Sequence, residues 1–205
     1  MESSKIKKFL KNSLNFSDIK LVKISSYVEL LLSYNKKYNL IGKNTEKDVW
    51  NRHILDCAQI IKFLNFKNDQ VLSDFGSGAG LPGIVISIAN DNPKFHVKLY
   101  EKSPVKRRFL KEIQKITKFE IKKNIYDYDL IKSDYIVCRA FKKLEPILDI
   151  SREKVKNPHK IIILKGKNAI NELKKLPKDN NYRYKTANSI TDRDSKIIIA
   201  IRNEK

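Results

Sequence analysis

The chain has 205 residues, of which 41% are hydrophobic and 32% charged, with a formal net charge of +20. This composition excludes a disordered chain and predicts one globular domain with room for an appendage. No hydrophobic run approaches the roughly 20 residues that cross a bilayer, and the two cysteines are too few for a disulfide framework. The first residues also lack the continuous hydrophobic stretch of a secretory signal, so we expect a cytoplasmic protein without a membrane span.

The positive charge has two explanations. Clustered cations displace counterions from a phosphate backbone, so the charge favours an anionic polymer as partner. Most of the cations are lysines, however, and asparagine and isoleucine are also abundant, which is the composition that AT-rich codons produce. An arginine beside a motif is therefore more informative than a lysine.

The first third of the sequence predicts helices. Hydrophobic residues recur at helical spacing over residues 19–38, and a break follows at residues 39–42. The segment Thr45-Glu46-Lys47-Asp48 resembles a capping box that opens a second helix. We predict an N-terminal helical extension over residues 1–65 and a Rossmann-like domain over residues 66–205, together forming one compact unit.

Strands and helices alternate after residue 66. Strands are predicted at residues 70–75, 95–101, 119–125, 134–139 and 160–165, and helices at 81–89, 104–117 and 143–155. Such alternation indicates an α/β fold with a mostly parallel sheet between two layers of helices. Residues 182–187 and 196–201 have only a turn-rich segment between them, so they predict an antiparallel hairpin at one edge of the sheet.

The stretch "SDFGSGAGLPG", residues 73–83, fits two cofactor-binding patterns. Gly78 to Gly83 match the Gly-x-Gly-x-x-Gly loop of dinucleotide-binding folds. Asp74 to Gly80 match the acidic-x-Gly-x-Gly-x-Gly loop of methyltransferases that use S-adenosylmethionine. In both cases a strand, a glycine turn and a helix direct backbone N–H groups at the ligand.

Asp74 favours the methyl donor. A carboxylate would repel a pyrophosphate, but it suits a cofactor that carries an ammonium and a sulfonium group. Glu101, at the end of the next predicted strand, is suited to bind the ribose hydroxyls that both cofactors carry. A reductase Tyr-x-x-x-Lys is present only at Tyr128–Lys132, before the fourth strand, which is too early for that chemistry. The terminal hairpin is also typical of methyltransferases.

Two cations follow strands of the predicted sheet. Arg139 ends the fourth strand and Lys165 ends the fifth, at the edge where open α/β sheets bind ligands. We therefore predict both as catalytic residues that hold the target base or a phosphate. His53 and Cys57 have i, i+4 spacing, but no further ligand joins them, so the sequence predicts no metal site.

Five segments together resemble one family: "YNKKYNLIGKNTEKDVWNRHILDC", "DFGSGAGLPGI", "EKSPVKRRFL", "CRAF" and "ILKG". Their order and spacing are similar to those of the bacterial glucose-inhibited division protein B family. The resemblance implies a class I methyltransferase fold and S-adenosylmethionine-dependent methylation of a guanine of 16S rRNA at N7. It also implies 16S rRNA as the partner, as naked RNA or within the small ribosomal subunit; we expect a monomer.

The resemblance carries over to particular residues. It implies substrate contacts at Arg52 and His53, and cofactor contacts at Gly76, Leu81, Ile125, Tyr126 and Arg139. The geometry of the glycine loop and the following strand adds Asp74, Gly78 and Glu101 to the cofactor set. Tyr126 stands where the family often has an acidic residue, and Cys138 where it usually has serine.

The absence of certain catalytic motifs from the sequence agrees with guanine N7 as the methylated atom. Guanine N7 has an in-plane lone pair and no proton, so its methylation requires alignment but no general base. No Asn-Pro-Pro-Tyr follows the fourth strand, as an exocyclic amine would require, and Cys138 follows valine rather than proline, which disfavours cytosine-carbon methylation. Two alternatives remain open: an NAD(P)-dependent oxidoreductase, and an inactive RNA-binding protein with this fold.

Overall fold

The computed structural model of the chain describes residues 2–177 and 181–202. Its strands are β1 (Val71–Phe75), β2 (His96–Tyr100), β3 (Glu120–Lys122), β4 (Tyr135–Arg139), β5 (His159–Lys165), β6 (Arg183–Asn188) and β7 (Lys196–Arg202). Its α-helices are α1 (Ser3–Leu14), α2 (Asp18–Tyr38), α3 (Asp56–Ala58), α4 (Gly83–Ala89), α5 (Pro104–Ile113), α6 (Leu144–Lys154) and α7 (Ala169–Lys174). No helix in the described ranges is long and hydrophobic enough to cross a membrane.

The seven strands form one sheet in the order β3-β2-β1-β4-β5-β7-β6. Strands β1 to β5 are parallel, while β7 is antiparallel to both β5 and β6. The direction in which the chain adds strands to the sheet reverses between β1 and β4, and this switch opens a crevice beyond their carboxyl ends. The predicted α/β fold with a C-terminal antiparallel hairpin is confirmed.

The N-terminal helices share a hydrophobic core with one face of the sheet. Ile6 and Leu10 of α1 and Tyr27 of α2 are fully buried, in one cluster with α4, α5 and the strand residue Leu72. The hydroxyl of Tyr27 donates a hydrogen bond to the carbonyl of Ala79 in the glycine loop, at 2.9 Å. We therefore propose that the predicted regions 1–65 and 66–205 fold as one compact unit.

The helix predicted to follow a capping box is divided instead. A 3-10 helix (Lys43–Asp48), a π-helix (Trp50–Leu55), α3 and a second 3-10 helix (Ile61–Phe63) follow one another. The capping-box prediction was wrong, because the Thr45 hydroxyl donates to the Gly42 carbonyl at 2.6 Å and caps no helix. The π-helix places His53, Ile54 and Leu55 together in the protein interior.

Other elements also differ from the sequence prediction, and α5, for example, ends at Ile113 rather than at residue 117. Helix α4 begins at Gly83 rather than residue 81, with Pro82 as its N-cap after a cis peptide bond. Strand β3 has only three residues, and Ile125 lies in a 3-10 turn (Ile125–Asp127) beyond its end. Helix α7, after β5, was not predicted.

Candidate active site at the carboxyl edge of the sheet

Three clefts lie side by side where the parallel strands end. We name them the Glu101 cleft (about 330 Å³), the Leu81 cleft (about 260 Å³) and the Lys165 cleft (about 300 Å³), each after one lining residue. Gly76, Lys106 and Ala140 line both the Glu101 and Leu81 clefts. Arg139 and Ala140 line both the Leu81 and Lys165 clefts. The clefts therefore form one continuous row.

The glycine loop forms the floor of the first two clefts. Gly76 has φ +71°, and a Cβ there would lie 2.1 Å from Cδ2 of Phe141, so only glycine fits beneath that ring. At Gly83 a Cβ would lie 2.2 Å from Cδ2 of Leu99, so glycine lets α4 pack closely on β2. The N–H of Gly83 donates to Oδ2 of Asp74 at 2.8 Å.

Asp74 lies beneath this loop and does not line a cleft. It is fully buried, and burial raises the pKa of its carboxyl to about 7, although the Gly83 N–H partly opposes the rise. Its other oxygen, Oδ1, has no hydrogen-bond partner among the described residues. Asp74 therefore holds the glycine loop through the Gly83 N–H, and its contribution to cofactor binding stays a prediction.

The Glu101 cleft has the features of an adenosine site. Glu101 is buried and accepts from the Gly78 N–H at 2.8 Å and from the Ser103 N–H at 2.7 Å. Its carboxylate is therefore held at the cleft, where hydroxyl groups of a ribose would donate to it. Part of the remaining lining is apolar or aromatic and suits a flat ring, namely Tyr100, Ile125, Tyr126 and Phe141. The rest is polar and includes Lys102, Lys106, Asn124 and Lys142.

Arg139 lies at the boundary of the Leu81 and Lys165 clefts, and the helical extension holds it there. Its Nη2 donates to Nδ1 of His53 at 2.6 Å, its Nη1 contacts Sγ of Cys57 at 3.3 Å, and its Nε lies 3.5 Å from Oδ2 of Asp56. A guanidinium has five N–H groups. Nη1 and Nη2 each use one N–H in these contacts, and the second N–H of each has no hydrogen-bond partner among the described residues.

His53, predicted as a substrate contact, contacts Arg139 through one ring nitrogen and Thr45 through the other. Burial and the neighbouring Arg139 lower its pKa to about 3, so the ring is neutral at physiological pH. Because Nδ1 accepts from Arg139, the proton sits on Nε2, which lies 2.7 Å from Oγ1 of Thr45. Both ring nitrogens are occupied. The described residues contain no group of three or more His, Cys, Asp or Glu that could hold a metal ion.

The Lys165 cleft is lined by both signs of charge. The Lys165 ammonium forms an ion pair with Glu172 at 2.8 Å and donates to the Lys142 carbonyl at 2.9 Å. Arg52 lies 3.4 Å from Asp192, a residue in the loop between β6 and β7. Both predicted residues, Arg52 and Lys165, therefore line this cleft with partners already in place.

Sequence reasoning missed Asp56, which holds Arg139 together with the predicted residue His53, and two further residues that line the clefts. Asp56 could have been identified from the sequence, because it lies three residues after His53 in the same motif. Lys106, which lines two clefts, could also have been identified, because it lies in the segment "EKSPVKRRFL". Asp192 gave no signal, because its position depends on how distant segments pack.

These features define a class I S-adenosylmethionine-dependent methyltransferase: a mostly parallel sheet with a terminal antiparallel hairpin, a glycine loop after β1 and an acidic residue after β2. The solved structure of Aeropyrum pernix fibrillarin with natively bound S-adenosyl-L-methionine has this fold, with a TM-score of 0.53 and 14% identity over 67% of this chain and 68% of that one. The chain belongs to the GidB family, rRNA small subunit methyltransferase G, whose model matches residues 20–198.

Relatives of this family match most of the chain. The ribosomal RNA small subunit methyltransferase G of Pelagibacter ubique is 35% identical over 182 residues, 85% of each chain. That of Orientia tsutsugamushi (strain Ikeda) is 34% identical over 197 residues, 95% of this chain and 96% of the relative. The predicted family, methyltransferase activity and cofactor are confirmed, and nothing supports the oxidoreductase alternative.

Proposed function

We propose that the protein transfers the methyl group of S-adenosylmethionine to N7 of a guanine in 16S rRNA. One observation carries this proposal: Arg139 lies between the cleft that extends the cofactor site and a third, polar cleft. A group at that position touches both the methyl donor and the acceptor base. The family and the charge of +20 support RNA as the acceptor.

The cofactor extends across the first two clefts. Glu101 would hold the ribose, and the aromatic walls with Ile125 and Tyr126 would hold the adenine ring. Gly76, Gly78 and Leu81 would lie along the methionine part, with Asp74 beneath the loop balancing its positive charge. When bound, the cofactor supplies an electrophilic methyl group. The protein supplies the alignment, which alone is worth several orders of magnitude in rate.

Both ring nitrogens of His53 are engaged within the protein, which suits a methyl-acceptor atom that carries no proton. Its two nitrogens contact Arg139 and Thr45, so it is not offered to the substrate as a base. An exocyclic amine would require proton removal after attack, whereas N7 would not. His53 therefore acts as a positioning residue for Arg139.

Arg139 has two N–H groups to offer the substrate. We assign them to O6 of the guanine, next to N7, where they would leave the N7 lone pair free for attack. Arg52 and Lys165 lie beside the base, and a flanking phosphate is their ligand. This role for Lys165 requires its ammonium to leave Glu172 in part.

We further propose that the protein acts as a cytoplasmic monomer, on naked rRNA or on the small subunit. Methyl transfer is tested by incubating the protein and labelled S-adenosylmethionine with small-subunit rRNA from cells that lack the enzyme. Nucleoside analysis should then show 7-methylguanosine. Arg139→Lys, which keeps the charge but loses the forked geometry, should lose most activity and retain cofactor binding. Cofactor binding without methyl transfer to any RNA would support the inactive RNA-binding alternative.

A further inference from the structure

Two carboxylates, Asp56 and Asp192, line the Lys165 cleft among cations that would suit an RNA strand. A carboxylate repels phosphate, so each one needs a reason to be there. The two carboxylates differ in how many hydrogen bonds and ion pairs their oxygens make within the protein. That difference identifies the carboxylate that is available to a ligand.

Asp56 is fully engaged with the protein. Its Oδ1 accepts from Gln59 Nε2 at 2.9 Å and from Thr191 Oγ1 at 2.8 Å. Its Oδ2 faces Arg139 at 3.5 Å, and its side chain is 19% exposed. Asp56 therefore holds Arg139 in position and ties the loop between β6 and β7 to α3.

Asp192 presents an oxygen to the cleft. Its Oδ1 accepts from the Asp194 N–H at 2.9 Å, which fixes the loop and lowers the pKa of the carboxyl, so the group is ionised at neutral pH. Its Oδ2 has a long contact of 3.4 Å with Arg52, and the side chain of Ser195 also interacts with the carboxyl and lowers its pKa. At 34% exposure this side chain is more accessible than Asp56.

We propose that the Lys165 cleft binds the target base and that Asp192 accepts hydrogen bonds from its N1–H and N2 amino group. Only guanine presents two adjacent donors on its Watson–Crick edge; adenine and cytosine present a donor beside an acceptor, and uracil a single donor between two carbonyls. An ionised carboxylate is therefore a selector for guanine, because any other base would leave it facing an acceptor. This inference rests on the proposed function and names the residue that chooses the base.

The order of the clefts matches the order of the polar groups around a guanine. N7 lies on the edge of the purine opposite to the N2 amino group, and O6 lies between N7 and N1. A guanine whose Watson–Crick edge faces Asp192 would direct N7 toward the Leu81 cleft. Arg139 lines both clefts and would meet O6.

The experiment compares guanosine with inosine at the target position. Inosine lacks the N2 amino group and keeps N1–H, O6 and N7. The modified guanine is first mapped with the unmodified protein, and rRNA is then assembled by ligation with either nucleoside at that position. The ratio of kcat/KM for the two RNAs is measured for the unmodified protein and for Asp192→Asn. Asn keeps an oxygen for the Asp194 N–H.

Asp194→Asn is the matched control, because it removes the same charge from the same loop at an exposed position outside the cleft lining. We expect the unmodified protein and the control to prefer guanosine by about tenfold or more, the value of one charge-assisted hydrogen bond. Asp192→Asn should reduce that ratio to near one, with its cofactor affinity and melting temperature unchanged.

The outcomes separate this inference from the proposed function. If the unmodified protein methylates no guanine at N7, the proposed function fails. If it methylates guanosine and inosine equally well, or if Asp192→Asn keeps the full preference, Asp192 does not read the base. If the control loses the preference to the same extent, the effect is one of loop charge and the inference is overturned.

Discussion

Replacing Asp74 by asparagine should change how the stability of the protein depends on pH. The carboxyl has a pKa of about 7 in the folded chain against 3.8 in the unfolded one, chiefly because it is buried. A folded-state pKa above the unfolded value favours the fold below pH 3.8, and this contribution is lost as pH rises to about 7. The shift corresponds to about 4 kcal/mol. Asn removes the titration and retains an acceptor for the Gly83 N–H.

The measurement is urea unfolding at pH values from 4.5 to 8.5, with the free energy of unfolding compared between the two proteins. We expect Asp74→Asn to gain stability relative to the unmodified protein as pH rises, by up to about 4 kcal/mol. Asp192→Asn is the control. The Asp194 N–H lowers the pKa of the Asp192 carboxyl, so the contribution of this carboxyl to the free energy of unfolding changes only below about pH 4. A constant difference between Asp74→Asn and the unmodified protein across this range would refute the effect of burial on this carboxyl.

The same carboxyl links pH to cofactor binding. The ammonium and sulfonium of S-adenosylmethionine favour the ionised form, so binding should tighten as pH rises through 7 and then level off. In Asp74→Asn that dependence should disappear. S-adenosylhomocysteine has no sulfonium, so its affinity should depend less on pH. Calorimetry with both ligands measures this, and an equal slope for the two proteins would contradict it.

Three further outcomes follow from the packing and the charges around the clefts. Gly76→Val should abolish cofactor binding and lower the melting temperature, because its side chain would meet Phe141, whereas Gly166→Ala, with open space around it, should do neither. Asp56→Asn should reduce methyl transfer by about tenfold or more with cofactor affinity retained, since the Arg139 ion pair is weakened; loss of cofactor binding instead would contradict this. Removing one lysine that binds an RNA phosphate should lower the slope of log affinity against log salt by about 0.7. Lys→Gln changes at Lys36, Lys37 and Lys43 should therefore flatten the salt dependence of RNA affinity. The same changes at Lys174 and Lys175, on α7 and after it, should leave that dependence unchanged. Equal slopes for the two groups would indicate that the charge is compositional; Lys178, which belongs with the second group by sequence, lies outside the described residues.

Local signals made most of the sheet predictable. Each central strand is a short hydrophobic run between turn residues, and the glycine loop marks where the first one ends. The position of Arg139 at the carboxyl edge followed from the strand alone. The segment of residues 43–63 was harder, because its side chains bond to each other across the short helices, as Thr45 and His53 do.

The chemistry of Arg139 depends on residues that are about 80 positions away in the chain. Burying a guanidinium is costly unless its N–H groups find acceptors. Here Asp56, His53 and Cys57, all from residues 53–57, provide them. No periodicity in the sequence predicts that pairing, although the family resemblance had indicated His53 as a site residue.

The helical extension therefore lines the candidate active site and also contributes to the core. Tyr27 of α2 supports the glycine loop through the Ala79 carbonyl, and residues 53–57 fix the guanidinium of Arg139 on the opposite side of the Leu81 cleft. Methyl transfer requires nucleophile, methyl carbon and sulfur in line, so an error of about 1 Å in either wall costs orders of magnitude in rate. We propose that the helical extension and the Rossmann-like domain, packed as one unit, set the position of both walls. A cofactor-binding loop carried by the sheet alone would leave the base without its fixed donor.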